Sequence, residues 1–226
     1  MHKKTNDTRC IKTMLDLYKD HNPIVSIIMA TFNRVDYLER SIGSFLNQTY
    51  KDAELLIVDD GSTDASFDVV NQYIQQYDRI RYLKHSNRRV SITKNVGIMA
   101  ASGQYLGFLD SDDAYEPDYI EHRFQFMQAH PEVDLLEGGI RIIGDPFVKD
   151  RDNPSVKIHL SKCIVGATFF GKAKVFRHLG GFNKHVQYSE DSEFWHRAKS
   201  TCRVHKIEHP GYIYYRNTPD SICNSI

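Results

Sequence analysis

Asp110, Asp112 and Asp113 fall within four positions, at the end of the apolar run Tyr105-Leu106-Gly107-Phe108-Leu109. The run is short, aromatic and aliphatic, and opened by Gly103, which predicts a buried strand. Ionised carboxylates at its tip cannot join the core, because buried unpaired charge is too costly. They repel one another, so a positive partner should hold them. A divalent cation with hard oxygen ligands fits best. A metal at the carboxyl edge of a sheet points in turn to an anionic ligand, most often a diphosphate. The plain alternative is a solvated acidic turn in which Asp112 or Asp113 caps a helix near Glu116-Pro117.

Other clusters supply partners for such a site. Asp59-Asp60-Gly61-Ser62-Thr63-Asp64 follows the apolar Leu55-Leu56-Ile57-Val58. A strand-to-helix turn accounts for Gly61 and for Thr63 or Asp64 as a cap, but not for two acids directly after the strand. A carboxylate there can accept a hydrogen bond from a pyrimidine base. Phe32, just past the first strand, is either a lid on the sheet edge or a platform for a base. Arg88, Arg89 and Lys94 read either as a solvated face or as cations beside a diphosphate. Glu190-Asp191-Ser192-Glu193-Phe194-Trp195 has the acids that favour a helix N-terminus. It also offers the base that a metal-gripped leaving group still needs for the incoming nucleophile.

The elements between these clusters must position them. Residues 1–22 read as an N-terminal extension with a weak helical pattern, and Pro23 opens the domain. Strands are expected at 24–30, 54–58, 80–83 and up to Asp110. Between them lie helices carrying Val35, Leu38, Ile42, Phe45 and Leu46, then Phe67, Val70, Ile74 and Tyr77, then residues 91–101. Alternation of this kind predicts a parallel sheet with right-handed crossovers. Its ligand belongs beyond the carboxyl ends of the strands, so all four polar clusters should face one crevice. The second half is less regular. A helix is expected at 119–130, strand character at 133–143, a mobile loop at 144–155, a strand at 164–170, a helix at 190–198 and tyrosine-rich strands over 204–216.

Composition removes several function classes. The chain has 226 residues, 41% of them hydrophobic, enough for a substantial core. Zero formal net charge gives no field for nucleic acid. No apolar stretch follows the basic N-terminus and none is long enough to span a bilayer, so a cytoplasmic protein is expected, with peripheral contact at the inner membrane face left open. Four scattered cysteines without a CxxC pair argue for reduced thiols and against zinc. GxxxxGKS, GxGxxG and GxSxG are all absent.

With these residues in view, the chain resembles the family 2 glycosyltransferases. The resemblance is carried by residues 25–34, 58–64 and 95–117, by Gly180-Gly181-Phe182 and Glu190-Asp191, and by Tyr215-Arg216. It implies an α/β GT-A fold: a Rossmann-like, mostly parallel central sheet flanked by helices, with a smaller mixed region on the acceptor side. It implies one domain over 23–220, with a nucleotide-sugar half at 23–115, an acceptor half at 116–220, and a tail at 221–226. It implies transfer of a sugar from a nucleotide-diphosphate donor, a UDP-sugar, to a hydroxyl of a saccharide or lipid-linked saccharide, with inversion and with Mn2+ or Mg2+. By matching position, Phe32 stacks on the base, Asp60 bonds uracil, and Ala30, Arg34 and Lys94 belong to the donor-binding segments, Lys94 beside the diphosphate. Asp113 falls on the direct metal ligand with Asp110 in the same motif, Asp112 on a ribose or sugar contact, and Asp191 on the general base.

Two departures stand out. Arg88-Arg89-Val90 replaces a segment where the family often has glycine before the valine, and Asn183-Lys184 replaces a common acidic pair. The QxxRW motif of processive synthases is missing, which implies addition of one or few sugars. A nucleotidyltransferase is the rival enzyme, but Thr31-Phe32-Asn33-Arg34 supplies no glycine-rich, lysine-containing loop. A catalytically dead sugar-nucleotide sensor is the rival binding protein, and intact Asp113 and Asp191 speak against it.

Overall fold

The computed structural model describes residues 23–150, 153, 155–186 and 189–218. The expected extension at 1–22 and tail at 221–226 lie outside the described residues.

The first half alternates as expected. β1 (Val25–Thr31) leads to α1 (Val35–Leu46), which buries Leu38, Ile42 and Phe45 along one stripe. β2 (Ala53–Asp59) is buried at every position, as a strand covered on both faces must be. α2 (Ser66–Ile74) stops a turn before Tyr77, and β3 (Ile80–Lys84) carries exposed Arg81 and Lys84 on the sheet edge. α3 (Val90–Ala100) packs so closely on β1 that a Cβ on Gly97 would collide with the Ile28 side chain. β4 (Tyr105–Phe108) then ends at the acidic motif.

The second half is more broken than expected. β5 (Ala114–Tyr115) is followed by α4 (Tyr119–Ala129). The expected strand at 133–143 divides into β6 (Leu135–Glu137) and β7 (Ile140–Ile143), because Gly138 and Gly139 take φ of 101° and 74° between them. Part of the expected mobile loop is ordered as β8 (Phe147–Lys149), paired antiparallel with β9 (Lys157–His159). The turn residues Asp145 and Asp150 accept backbone N–H bonds there, which prolines and charges in the sequence concealed. The expected strand at 164–170 is instead a 3-10 turn, Gly166–Thr168, then β10 (Phe170–Lys172). α5 (Ala173–His178) was not foreseen; α6 (Glu190–Thr201), β11 (Val204–Lys206) and β12 (Tyr212–Tyr215) follow.

Seven strands form the main sheet in the order β11-β6-β10-β4-β1-β2-β3. All its pairings are parallel except those of β10, which runs antiparallel to both β4 and β6. Alternate residues of β1 feed opposite faces. Val25, Ile27 and Met29 join a core with Leu38, Ile42 and Phe45 of α1 and Met127 of α4. Ile28 joins another, with Ile98 of α3, Phe176 of α5 and Phe194 and Trp195 of α6. Helices thus cover both faces. β5, β12 and β7 make a second small sheet. No helix among the described residues is long and apolar enough to cross a membrane.

Candidate active site

β2 and β3 lie on one side of β1, and β4 on the other. That reversal is the topological switch point where open α/β sheets bind ligands. A crevice of about 1170 Å³ opens there. Ala30, Phe32, Arg34, Asp60, Asn87 and Asp110 line it, so all four strand ends contribute, as expected. Asp112, Asp113, Arg89, Lys94 and Asp191 line the same crevice.

The three acids of the first motif are not equivalent. Asp113 is 2% exposed and turned into the protein. Its Oδ2 accepts the Tyr212 hydroxyl and its Oδ1 accepts the Tyr215 N–H, both at 2.8 Å. The Tyr212 hydroxyl also accepts the Asp110 N–H at 3.2 Å. Neither Asp112 nor Asp113 caps α4, whose N-cap position is Asp118. Asp110, with a side chain 37% exposed, and half-buried Asp112 open on the crevice. Asp113, expected as the direct metal ligand, lines the crevice and also braces the motif against β12. Burial pushes the Asp112 carboxyl above its ordinary range, and Asp110 adds to the effect. Burial, then Asp110 and Asp112, push Asp113 further. This crowding of like charge is what a cation would relieve. Among the described residues no three His, Cys, Asp or Glu side chains form a complete metal cage. Two hard carboxylates open to a ligand still fit Mg2+ or Mn2+, which take phosphate oxygens and waters for the rest of their shell.

At the other end of the crevice, Phe32 is 42% exposed, an apolar ring left open to solvent. It precedes Asn33, whose φ of 50° turns the chain into α1. Asn33 and the β2–α2 turn are strapped together: Asn33 N–H donates to Ser62 Oγ, and Thr63 N–H donates to Asn33 Oδ1, both at 2.9 Å. Asp59 is fully buried and holds the Ser62 N–H at 2.7 Å and the Tyr82 hydroxyl at 2.5 Å. Asp60 is buried at the crevice wall. Its Oδ1 accepts the Arg88 N–H at 2.6 Å and its Oδ2 the Arg89 N–H at 3.0 Å. His85 Nδ1 also lies 3.4 Å from Oδ1, which leaves a lone pair on Oδ2 for a ligand. Arg89 adopts φ 76° and ψ 155°. That region is close to glycine-only and costs a side chain about 1–3 kcal/mol.

Lys94 joins the two acidic centres. Its side chain is 7% exposed, with Nζ 3.4 Å from Glu190 Oε1 and 4.0 Å from Asp110 Oδ1. Burial alone would lower its pKa, but Asp110, Glu190 and Asp191 outweigh burial and raise it, so the ammonium stays charged. Asp191 sits in the first turn of α6, its Oδ2 accepting the Gly166 N–H at 3.1 Å and its Oδ1 the Ser192 N–H at 2.7 Å. Burial, then Glu190, raise its pKa to about 6, against the pull of Lys94.

Several contributors were not foreseen. Arg40 donates to the Asp112 carbonyl and lies over the Tyr215 ring at 3.7 Å. Tyr212 and Gly166 complete the supports of the two acidic centres. The tyrosine-rich tail was a visible signal, but its partner lies about a hundred residues away. Asn95 clamps the glycine turn after α5, donating to the Phe182 carbonyl and accepting its N–H at 2.8 Å each.

Residues 26–181 match the profile of "Glycosyl transferase family 2". The chain belongs to that family. A glycosyltransferase GlyA of Streptococcus pneumoniae is 38% identical over 58% of this chain and 21% of its own length. An uncharacterized glycosyltransferase of Rickettsia conorii is 29% identical over 82% of this chain. The chain spans only 33% of that relative. Among solved structures, S. aureus TarS 1-349 in complex with UDP-GlcNAc superposes with a TM-score of 0.72 and 21% identity, over 85% of this chain and 58% of that one. A mannosyltransferase of Pyrobaculum calidifontis, in complex with GDP-Man and Mn2+, gives 0.69 and 21% over 90% and 59%. These likenesses establish the GT-A fold for this family 2 member.

Proposed function

We propose that the chain transfers a sugar from a nucleotide-diphosphate donor, a UDP-sugar, to an acceptor hydroxyl with inversion and with a divalent cation. The observation that carries this reading is the single crevice in which Asp110 and Asp112 face Asp191 across Lys94. In this reading a leaving-group end and a base end border one space, with Lys94 between them. The complexes of TarS with UDP-GlcNAc and of the Pyrobaculum enzyme with GDP-Man and Mn2+ support the donor class.

In this reading Phe32 stacks on the base and Asp60 accepts its imide N–H. Ala30 and Arg34 flank the nucleotide. Asp110 and Asp112 would hold Mg2+ or Mn2+, which would supply Lewis-acid stabilisation of the departing diphosphate. Asp113 holds that motif in place through Tyr212 and Tyr215 and borders the same crevice. Lys94, charged and buried, stands where negative charge grows as the anomeric bond breaks. Asp191, with a pKa of about 6, is ionised near neutrality and still basic enough to take the acceptor proton. Attack from its side, opposite the diphosphate, passes through an oxocarbenium-like state and inverts the anomeric centre. Residues 116–220 then provide the acceptor half, for a saccharide or lipid-linked saccharide in glycan synthesis, with one or few sugars added.

Titration calorimetry with UDP and GDP, with and without Mn2+, tests the donor site. Metal-dependent UDP binding that exceeds GDP binding is the expected result, and no binding of either nucleotide would defeat it. NMR of the transfer product should show the inverted anomer; retention would overturn the single displacement.

A further inference from the structure

Arg89 combines three features that no structural role explains together. Its backbone sits at φ 76° and ψ 155°, where glycine is at ease and arginine is strained. Its side chain is exposed and lines the crevice, with no hydrogen bond or ion pair to its guanidinium among the described residues. Its conformation is nevertheless firmly held. The Arg89 N–H donates to Asp60 Oδ2, and its carbonyl accepts the Ile92 and Thr93 N–H groups at 3.1 and 3.2 Å. Strain of this kind persists only where the surroundings over-determine it, and it gathers at ligand-binding positions. Among the described residues the two other positive-φ residues that are not glycine, Asn33 and Ser189, lie at φ of 50° and 60°, the milder left-handed region that short polar side chains tolerate.

The charge balance of the crevice says what the guanidinium is for. Of the other cations that line the crevice, Lys94 is committed to Glu190 and Asp110, Arg34 has partners of its own, and Lys149 and Lys162 carry ammonium groups. Arg89 stands beside Asp60 with its five donors unspent. A planar guanidinium matches a phosphate or carboxylate in a paired geometry that an ammonium cannot reproduce.

We infer that Arg89 is a donor-recognition residue, whose guanidinium binds an oxyanion of the nucleotide sugar and whose strained backbone directs it into the crevice. The inference rests on the reading of the crevice as a nucleotide-sugar site. The oxyanion is either the donor's diphosphate or a carboxylate on its sugar, and the test separates the two. Arg89→Gly removes the side chain and relieves the backbone together. Its melting temperature should rise by about 2–4 °C or more while its ligand affinity falls. The two readouts move in opposite directions, which a residue serving stability alone cannot produce.

The experiment measures melting temperature and Kd for uridine, UDP, UDP-glucose and UDP-glucuronate, with Mn2+, on the wild type, Arg89→Gly and Arg89→Lys. Uridine affinity should be unchanged. If the diphosphate is the partner, all three diphosphates weaken roughly ten- to a hundredfold in Arg89→Gly. If a sugar carboxylate is the partner, only UDP-glucuronate weakens by that factor. Arg89→Lys should keep the strained melting temperature and recover part of the affinity. Wild-type affinity of Arg89→Gly for every diphosphate would overturn the inference and leave the site reading intact. Failure of the wild type to bind UDP, UDP-glucose and UDP-glucuronate would bring down the site reading, and this inference with it.

Discussion

Asp191 is seated directly on Gly166. A methyl group placed on Gly166 would stand 2.6 Å from Asp191 Cβ, and the Gly166 N–H already donates to Asp191 Oδ2 at 3.1 Å. The carboxylate's position is thus set by a backbone that leaves no room for a side chain. Gly166→Ala should displace it by a fraction of an ångström to an ångström. Turnover is expected to fall on the order of 10²-fold, the usual effect of such misplacement, while Kd for UDP stays within about twofold. A parallel loss of UDP affinity would show that the 3-10 turn supports the donor end instead.

Asp191 also sets the expected pH profile. With its pKa raised to about 6, turnover should rise with pH through that value and then level off. Asp191→Asn should remove this limb and lower turnover by roughly 10²- to 10⁴-fold with UDP affinity retained. The stability sign is opposite. A carboxyl raised from 3.8 to about 6 favours the folded state most when protonated, so its contribution is present below 3.8 and lost as pH rises through 6. Urea titrations should therefore find Asp191→Asn more stable than the wild type at pH 7, with the gap closing toward pH 4.

Asp112 and Asp113 should separate function from stability. Asp112→Asn is expected to abolish the Mn2+ dependence of UDP binding with little change in urea midpoint. Asp113→Ala strands the buried Tyr212 hydroxyl and Tyr215 N–H, at about 1–3 kcal/mol for each unsatisfied group. Its urea midpoint should drop visibly. An Asp113→Ala protein of normal stability would refute the bracing role.

Asp60→Ala should cost UDP binding on the order of 1.5–3 kcal/mol, the worth of a charge-assisted hydrogen bond. It also frees the Arg88 and Arg89 N–H groups, so hydrogen exchange at these two amides should quicken. Calorimetry with UDP and GDP separates the contributions. Loss of preference between the bases marks contact with the base, and an equal loss for both marks the loop.

The sequence made the first half of the sheet legible because its signals are local. Each strand there is an apolar run that stops at a polar cluster, and parallel topology sends all such ends to one edge. Asp110, Asp60 and Phe32 were assigned to one crevice that way, and all three line it. The bracing of Asp113 was not legible, because Tyr212 and Tyr215 are brought in from about a hundred residues away. Gly166 was hidden for a similar reason: its apolar neighbours Val165, Ala167, Phe169 and Phe170 read as a strand. Here tertiary packing against Asp191 overrode the local pattern, leaving one 3-10 turn before β10. The β8–β9 hairpin was masked by its own turn residues, although the short stretches flanking them pair in register.

The bonds from Asp113 to Tyr212 and Tyr215 also impose an order of assembly during synthesis. The acidic motif leaves the ribosome long before its braces do. Until β12 emerges, Asp113 lacks its two donors and the three carboxylates repel one another without restraint. A nascent chain that has released only the first half therefore carries the crevice-lining side chains of β1 to β4 and still has an unbraced acidic corner. On the reading of the crevice as a nucleotide site, that corner is completed only when β12 has left the ribosome.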